Sequence, residues 1–443
     1  MLSSYGYRLS KPIENESEIK ATLSVKPYIP SVFVNPRYVS SFKVYRECSN
    51  FLYVPKHFGS ERFGPITSYI KPITQTDATF WEFTGKLREV QQPVVNSFLL
   101  PEPHDGIISL QTGGGKTICA LYIASVLKLP TLVLVHAGFL KEQWIERIRA
   151  FLPHVRIGTI QGDTFDVENK DIVVGMLQTI ALKDGLFRAH FGFVIVDECH
   201  HIGSEGFVKS MFKVSSKYML GLSATPERQD RLMYVIHWCL GPLLYQSSNA
   251  DKVDTKVNVE IYEFESNDPA YDEIIYNHAG VMFTSLMINK VVANTERNKF
   301  IVRILEDILD DNRQILVLSD RVDHCSVLYT LLPPDLQNTA GILARGMKSD
   351  KRTALCTTKK ILFSTYQLVK EFFDVPTLNT LVMATSRPDI EQIVGRILRV
   401  EKHLRDVDPL IVNISDMAFR RQLQANINLY RKRGYQIQKM RLE

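Results

Sequence analysis

Leu110-Gln-Thr-Gly-Gly-Gly-Lys-Thr117 follows an apolar run, Gly106 to Leu110, and opens a helical pattern from Ile118 to Leu127. Strand, glycine-rich loop and helix in that order make a phosphate cradle. Gly113, Gly114 and Gly115 let the backbone curl, with Thr112 leading into the curl. Lys116 places a cation beside the β and γ phosphates, and the Thr117 hydroxyl is a ligand for magnesium. Leu110 stands where the phosphate-loop pattern has its first glycine, so the loop alone is also compatible with a plain glycine-rich turn. Downstream residues decide between the two and point to ATP with Mg2+.

Phe193-Val-Ile-Val-Asp197-Glu198-Cys-His200-His201 puts two carboxylates at the carboxyl end of an apolar strand. Carboxylates are costly there unless they serve a metal or a water. Asp197 is expected to hold the magnesium ion through its coordination shell, and Glu198 to orient and deprotonate the attacking water. His200 and His201 lack nearby cysteines or a His-Glu-x-x-His spacing, which favours hydrogen-bond relays over zinc ligation. Ser223-Ala224-Thr225 ends another strand, and its small hydroxyl residues suit a switch that reports the nucleotide's state. Gln392-Ile-Val-Gly395-Arg396-Ile-Leu-Arg399 reads as a helix in which Gln392, Arg396 and Arg399 share one face, with the two arginines as fingers for the γ phosphate.

These residues need elements to position them. From Phe80 to about Gln246, apolar runs at 106–110, 131–136, 171–175, 193–197 and 218–223 alternate with helical segments. Such alternation predicts a parallel sheet covered on both faces. A second alternation uses 257–262, 315–319, 361–364, 380–384 and 410–414, after a polar linker at Ser247 to Thr255. The expected fold class is α/β: two parallel-sheet domains in tandem, forming a cleft, with a small mixed N-terminal domain. The expected boundaries are 1–80 for an accessory, DNA-binding domain, 81–246 for the ATP-binding domain, 247–256 for the linker, 257–415 for the second domain and 416–443 for a basic helical tail. Residues 271–309 read as helices long enough to project as a wedge or hinge.

The 443 residues are 45% hydrophobic and 23% charged, as in soluble globular proteins. No apolar run approaches the roughly eighteen residues of a membrane span, and the N-terminus does not read as a signal peptide. A cytosol-like compartment, no membrane partner and a monomeric state are expected. The six cysteines are scattered without a Cys-x-x-Cys pair and read as small packing residues. The net charge is +5, yet residues 1–80 carry ten Lys/Arg against six Asp/Glu and residues 417–443 carry seven against one, so the stretch between is net acidic. Basic flanks on an acidic middle suit a polyanion-binding motor that grips phosphates mostly through backbone amides.

The ordered set of motifs resembles superfamily 2 helicases over about residues 81–415. The carriers are Leu87-Arg-Glu-Val-Gln91, the loop ending Lys116-Thr117, Leu132 to Trp144, Asp171 to Thr179, Asp197-Glu-Cys-His200, Ser223-Ala-Thr225 and Gln392 to Arg399. The leucine opening the phosphate loop, the DECHH form, Tyr218 to Arg228 and Phe363-Ser-Thr-Tyr-Gln-Leu are similar to the branch containing XPB, the phage UvsW helicase and the poxviral transcript-release helicase. Residues 26–62 resemble the N-terminal segment of viral members, which implies a large DNA virus or phage as source.

The resemblance implies that the two parallel-sheet domains are RecA-like with ATP between them, tracking along one strand in the 3′ to 5′ direction, and a glutamine, Gln91, that reads adenine. It implies phosphate-gripping roles for His136, Phe139, Gln178, Thr179, Ser319, Arg321, Thr365 and Phe372, and coupling roles for His200, Ser223, Ala224, Thr225 and Asp374. Phe372 departs from the pattern, since glycine is usual there; a phenyl ring blocks backbone approach to phosphate or offers a stacking surface. The reading is an ATP-dependent DNA helicase or translocase acting on duplex, forked or branched DNA in replication, recombination or repair. The alternatives are an RNA-directed, transcript-releasing motor and, from another class, a non-hydrolysing nucleic-acid clamp.

Overall fold

The apolar runs of the first alternation form the centre of an eight-stranded sheet. The computed structural model describes every residue except 4, 29–38, 70–77, 112, 184–190, 201–203, 225–229, 248–253, 277–279, 281, 311, 373–374, 376, 389, 399, 401–404 and 442–443. The chain divides into two units, Met1–Ser247 and Ser248–Glu443.

In the first unit the strand order is Thr164–Asp166, Ile157–Gln161, Ile172–Met176, Thr131–Val135, Phe193–Val196, Tyr218–Ser223, Gly106–Ser109 and Leu243–Gln246. Only the first pair is antiparallel. The central strands are buried along their whole length because apolar layers cover both faces. One layer joins the helices Gln92–Leu99, Lys116–Leu127 and Gly138–Phe151 through Val95, Phe98, Ile123, Trp144 and Ile148. Parallel register places the carboxyl ends of the strands along one edge, with Ser223 beside Ser109 and Val196 beside Gly221. Every loop expected to do chemistry in this unit leaves from that edge.

The opposite layer includes the N-terminal segment. A small antiparallel sheet, ordered Leu2–Ser3, Gly6–Ser10, Phe51–Val54 and Arg46–Glu47, turns Tyr7, Leu52 and Val54 inward. These share one apolar cluster with Ile107, Leu132, Val208, Phe212 and Leu240 of the large sheet and its helices. Polar contacts fix the junction. The Lys56 ammonium lies 2.5 Å from Asp105 and donates to the carbonyls of Ser216 and Lys217, while His57 meets the same carboxylate at 2.8 Å. The small N-terminal sheet thus shares an apolar core with the large sheet of the first unit.

The second unit holds a seven-stranded parallel sheet, Ala340–Ile342, Ile361–Thr365, Ile315–Ser319, Thr380–Met383, Leu410–Ser415, Asn258–Glu263 and Gln436–Met440. Two expectations need correction. The segment 416–443 is not wholly helical: after the helix Arg420–Lys432 and Gly434 at φ +69°, it returns as the edge strand Gln436–Met440 on Asn258–Glu263. Nor does the longest helix of 271–309 project as a wedge. This helix, Thr295–Ile308, buries Ile301, Ile304 and Leu305 against Val317 and Phe363 of the sheet. An apolar stripe of that width has to be buried.

A buried ion pair ties that helix to the carboxyl end of the strand Leu410–Ser415. Arg297 donates to both oxygens of Asp416 at 2.6 and 2.8 Å, and the Tyr271 hydroxyl donates to the same carboxylate at 2.8 Å. No described helix is long and apolar enough to cross a membrane. Cys48 is exposed, and the other five cysteines are buried as packing residues.

Arg297→Met would leave the Asp416 charge without its cation in the interior and should cost about 3–5 kcal/mol. Adding Asp416→Leu should recover most of that loss. Urea unfolding followed by circular dichroism tests both; equal midpoints for the parent and Arg297→Met would contradict the assignment.

Candidate nucleotide site

The phosphate loop leaves the strand Gly106–Ser109 and enters the helix Lys116–Leu127. Gly113 and Gly115 adopt φ of +82° and +84°, a left-handed backbone that disfavours any residue with a Cβ. Gly115 is required for space as well, since a Cβ there would collide with the Gln91 amide. That amide is 2% exposed and lies on the loop. Its Nε2 donates to the Gly114 carbonyl at 3.4 Å, and its Oε1 accepts from the Arg88 amide at 2.9 Å. Arg88 donates to the Gly113 carbonyl at 3.3 Å. Arg88 is thus a loop residue to which sequence reasoning assigned no role; its spacing of three from Gln91 was the available signal.

Lys116, the first residue of the helix, donates to the Leu110 carbonyl at 3.1 Å and lies 3.9 Å from Glu198. Asp197 and Glu198 follow Phe193–Val196 directly, so the strand end carries them to the same edge. Glu198 has φ +46°, a strained backbone for a side-chain-bearing residue, of the kind that clusters at functional sites. Burial opposes its ionisation, but the His200 ring at 3.3 Å, the Lys116 cation and the Ala224 amide outweigh burial and hold its carboxyl well below the usual range. Burial, aided by the Glu198 charge, pushes Asp197 upward.

Asp197 is restrained by a residue with no role in the sequence reading. The Trp144 indole, 1% exposed on the helix Gly138–Phe151, donates to its Oδ2 at 2.8 Å, while the Glu198 amide donates to Oδ1 at 3.0 Å. His200 reaches Ser223 Oγ at 3.1 Å, joining the acidic loop to the end of the neighbouring strand. Gln178 Nε2 donates to the His136 carbonyl at 2.5 Å, and Thr179 Oγ1 accepts from the Gly162 amide at 3.1 Å. Phe139 lies in the first turn of the Trp144 helix. The expected grip segments of this unit therefore share its carboxyl edge with the phosphate loop.

In the second unit Ser319 and Thr365 are register partners at the strand ends. Ser319 is 1% exposed, and its hydroxyl is a strut: it accepts from the Arg321 amide at 3.1 Å and meets His324 Nδ1 at 2.9 Å. His324 Nε2 faces Asn298 Oδ1 at 2.9 Å, which makes Nε2 the protonated nitrogen. Burial, reinforced by Arg297, pushes His324 down to about 3 and keeps the ring neutral. The Arg321 guanidinium donates to Asn289 at 2.8 Å and to Ser285 at 3.0 Å.

The helix expected over Gln392–Arg399 is a single turn, Glu391–Val394. Past Gly395 the chain tightens, with the Arg396 amide donating to Ile393 and the Ile397 amide to Val394, while Ile393, Val394 and Ile397 anchor it in the core. Gln392 lies on the turn and Arg396 follows Gly395 beyond it. Phe372 ends the helix Tyr366–Phe372. Thr112, His201, Thr225, Asp374 and Arg399 lie outside the described residues.

Residues 84–228 match the family described as "Type III restriction enzyme, res subunit". Over its whole length the chain is similar to the "Putative ATP-dependent RNA helicase L396" of Acanthamoeba polyphaga mimivirus, with 31% identity across 99% of this chain and 86% of that protein. The chain belongs to the viral superfamily 2 helicases. A shorter match, 36% identical over 37% of the chain and 36% of the relative, is to the "DNA 3'-5' translocase XPB2" of Sulfurisphaera tokodaii. Among solved structures, S. cerevisiae Dbp5 bound to RNA and ADP BeF3 shares the fold, with a TM-score of 0.56, 14% identity and coverage of 81% of this chain and 90% of that one. The helicase is thus an ATP-dependent enzyme with two RecA-like parallel sheets.

Trp144→Phe keeps the ring in the core but leaves Asp197 Oδ2 without its donor. The helicase should lose about 1–3 kcal/mol of stability. A donor to an ionised carboxylate favours the charged form, so its loss raises the Asp197 pKa and should move the acid limb of ATP hydrolysis to higher pH. Thermal melts and a pH–rate profile read the two effects; an unmoved acid limb would count against the Trp144–Asp197 link.

Proposed function

We propose that this viral helicase is a DNA-directed motor that tracks 3′ to 5′ and remodels duplex, forked or branched DNA. The observation that carries the chemistry is the Glu198 carboxylate, held ionised 3.9 Å from Lys116 and 3.3 Å from His200 at the mouth of a left-handed glycine loop. A charged carboxylate beside a phosphate cradle is suited to take a proton from water attacking the γ phosphate.

The loop amides of residues 112–117 and Lys116 would hold the phosphates, and Gln91 would meet the base. Thr117 and Asp197 would hold a magnesium ion, which supplies Lewis-acid charge neutralisation when bound; the paired carboxyls and the open curl at Gly113 fit that group. Gln392, Arg396 and Arg399 would supply hydrogen bonds and positive charge to the transferred phosphoryl group. Through the His200–Ser223 contact, Ala224, Thr225 and Asp374 would transmit the nucleotide's state. His136, Phe139, Gln178, Thr179, Arg321, Thr365 and Phe372 would face the nucleic acid, with Ser319 acting through Arg321. The helicase would work as a monomer in a cytosol-like compartment.

The XPB2 match supports DNA and the stated polarity. The mimiviral relative is named as an RNA helicase and favours the second reading, a motor that acts on RNA or releases transcripts.

Glu198→Gln should lower ATP turnover by about 10²–10⁴-fold with nucleotide binding retained. Arg396→Ala should lower it by about 10³–10⁵-fold. Unchanged turnover in Glu198→Gln would exclude the base and revive the clamp alternative. Hydrolysis measured with forked DNA, single-stranded DNA and RNA decides the polymer, and stimulation by RNA alone would replace the DNA reading.

A further inference from the structure

The outer face of the N-terminal sheet carries an ordered row of rings and guanidinium groups. On the strand Phe51–Val54, Leu52 and Val54 are fully buried beneath the sheet, so Phe51 and Tyr53 point to the other side. The antiparallel register sets Arg8 opposite Tyr53 from one neighbouring strand and Arg46 opposite Tyr53 from the other. The Arg8 guanidinium stands 4.5 Å over the Phe51 ring, and the Arg46 guanidinium 4.6 Å over the Tyr5 ring. Tyr5 meets Tyr53 edge-on at 5.5 Å, and Phe51 lies 6.3 Å from Tyr53. All five side chains are half-exposed. The nearby carboxylate on this sheet edge, Glu47, is engaged by Lys11 at 3.0 Å and Lys20 at 2.6 Å, so the face keeps its positive charge.

Leu52 and Val54 supply the buried side of this strand, while the outer side holds rings with guanidinium groups over two of them. Such a cluster of rings and guanidinium planes on a sheet provides π surfaces for unpaired bases, and the arginine charges suit the phosphates that accompany them. A duplex hides its base faces within its stack and offers this surface only phosphates. We propose that Tyr5, Arg8, Arg46, Phe51 and Tyr53 form a second nucleic-acid site, a stacking platform for an unpaired strand. This rests on the helicase reading, and goes further by giving the N-terminal sheet a single-strand preference and named residues. Neither a ring nor a guanidinium plane reads the sugar, so the occupant is defined by unpaired bases.

The test uses the full chain and oligonucleotides roughly twenty nucleotides long carrying iodouracil, as single-stranded DNA, single-stranded RNA and blunt duplex DNA. Photo-crosslinks mapped by mass spectrometry should fall on Tyr5, Phe51 or Tyr53 with a single strand and not with the duplex. Phe51→Ala and Tyr53→Ala should each weaken single-strand binding about tenfold. Tyr53→Trp should restore it, and Arg8→Ala should weaken it with the thermal midpoint kept. Nucleic-acid-free ATP hydrolysis should be unchanged in all four. Crosslinks confined to other regions, or equal losses for single strand and duplex, would overturn the platform. A parent protein whose ATP hydrolysis no nucleic acid stimulates would instead refute the motor reading, whatever the crosslinks show.

Discussion

A buried and a half-buried carboxylate side by side at a strand end are the constraint around which the first unit is arranged. Placing Asp197 and Glu198 together in a low-dielectric site is costly unless each is given partners. Glu198 receives Lys116, His200 and the Ala224 amide; Asp197 receives the Trp144 indole and the Glu198 amide. Those partners come from the phosphate-loop helix, the acidic loop, the helix Gly138–Phe151 and the end of the strand Tyr218–Ser223. Satisfying the pair therefore fixes four segments at once, among them the helix whose first turn carries Phe139.

The second unit meets a similar problem at the end of its strand Leu410–Ser415. Arg297 is wholly buried, and its charge is matched by Asp416 and supported by Tyr271. The same arginine helps keep His324 neutral, which lets that ring hold Ser319 and, through it, the backbone of Arg321. A charge placed for stability thus helps keep neutral a ring that lies under a loop with a proposed functional role. The N-terminal segment is secured by a comparable device, Lys56 with Asp105, so its sheet is carried rigidly by the first unit while its outer face stays half-exposed.

Much of the fold was legible because central strands of a parallel sheet are apolar on both faces and read as continuous runs. Thr131–Val135 and Ile315–Ser319 announce themselves in this way. The edge strands do not. Thr164–Asp166, Leu243–Gln246 and Gln436–Met440 have one neighbour or an exposed face, carry mixed residues, and become strands only because a partner presents its backbone. Likewise Gln392 to Arg399 has helical spacing, yet the burial of Ile393, Val394 and Ile397 tightens the chain after one turn.

Residue type and local order alone determined the phosphate loop, the acidic pair and the two alternating α/β halves, because glycine, lysine and carboxylate at fixed spacing next to an apolar strand have few uses other than phosphate chemistry. Only the tertiary structure decided which partners those groups have. Trp144 lies 53 positions from Asp197, and Lys56 lies 49 positions from Asp105. Contacts over such separations follow from strand order and register, which bring distant segments to one sheet edge and which no short stretch of sequence encodes.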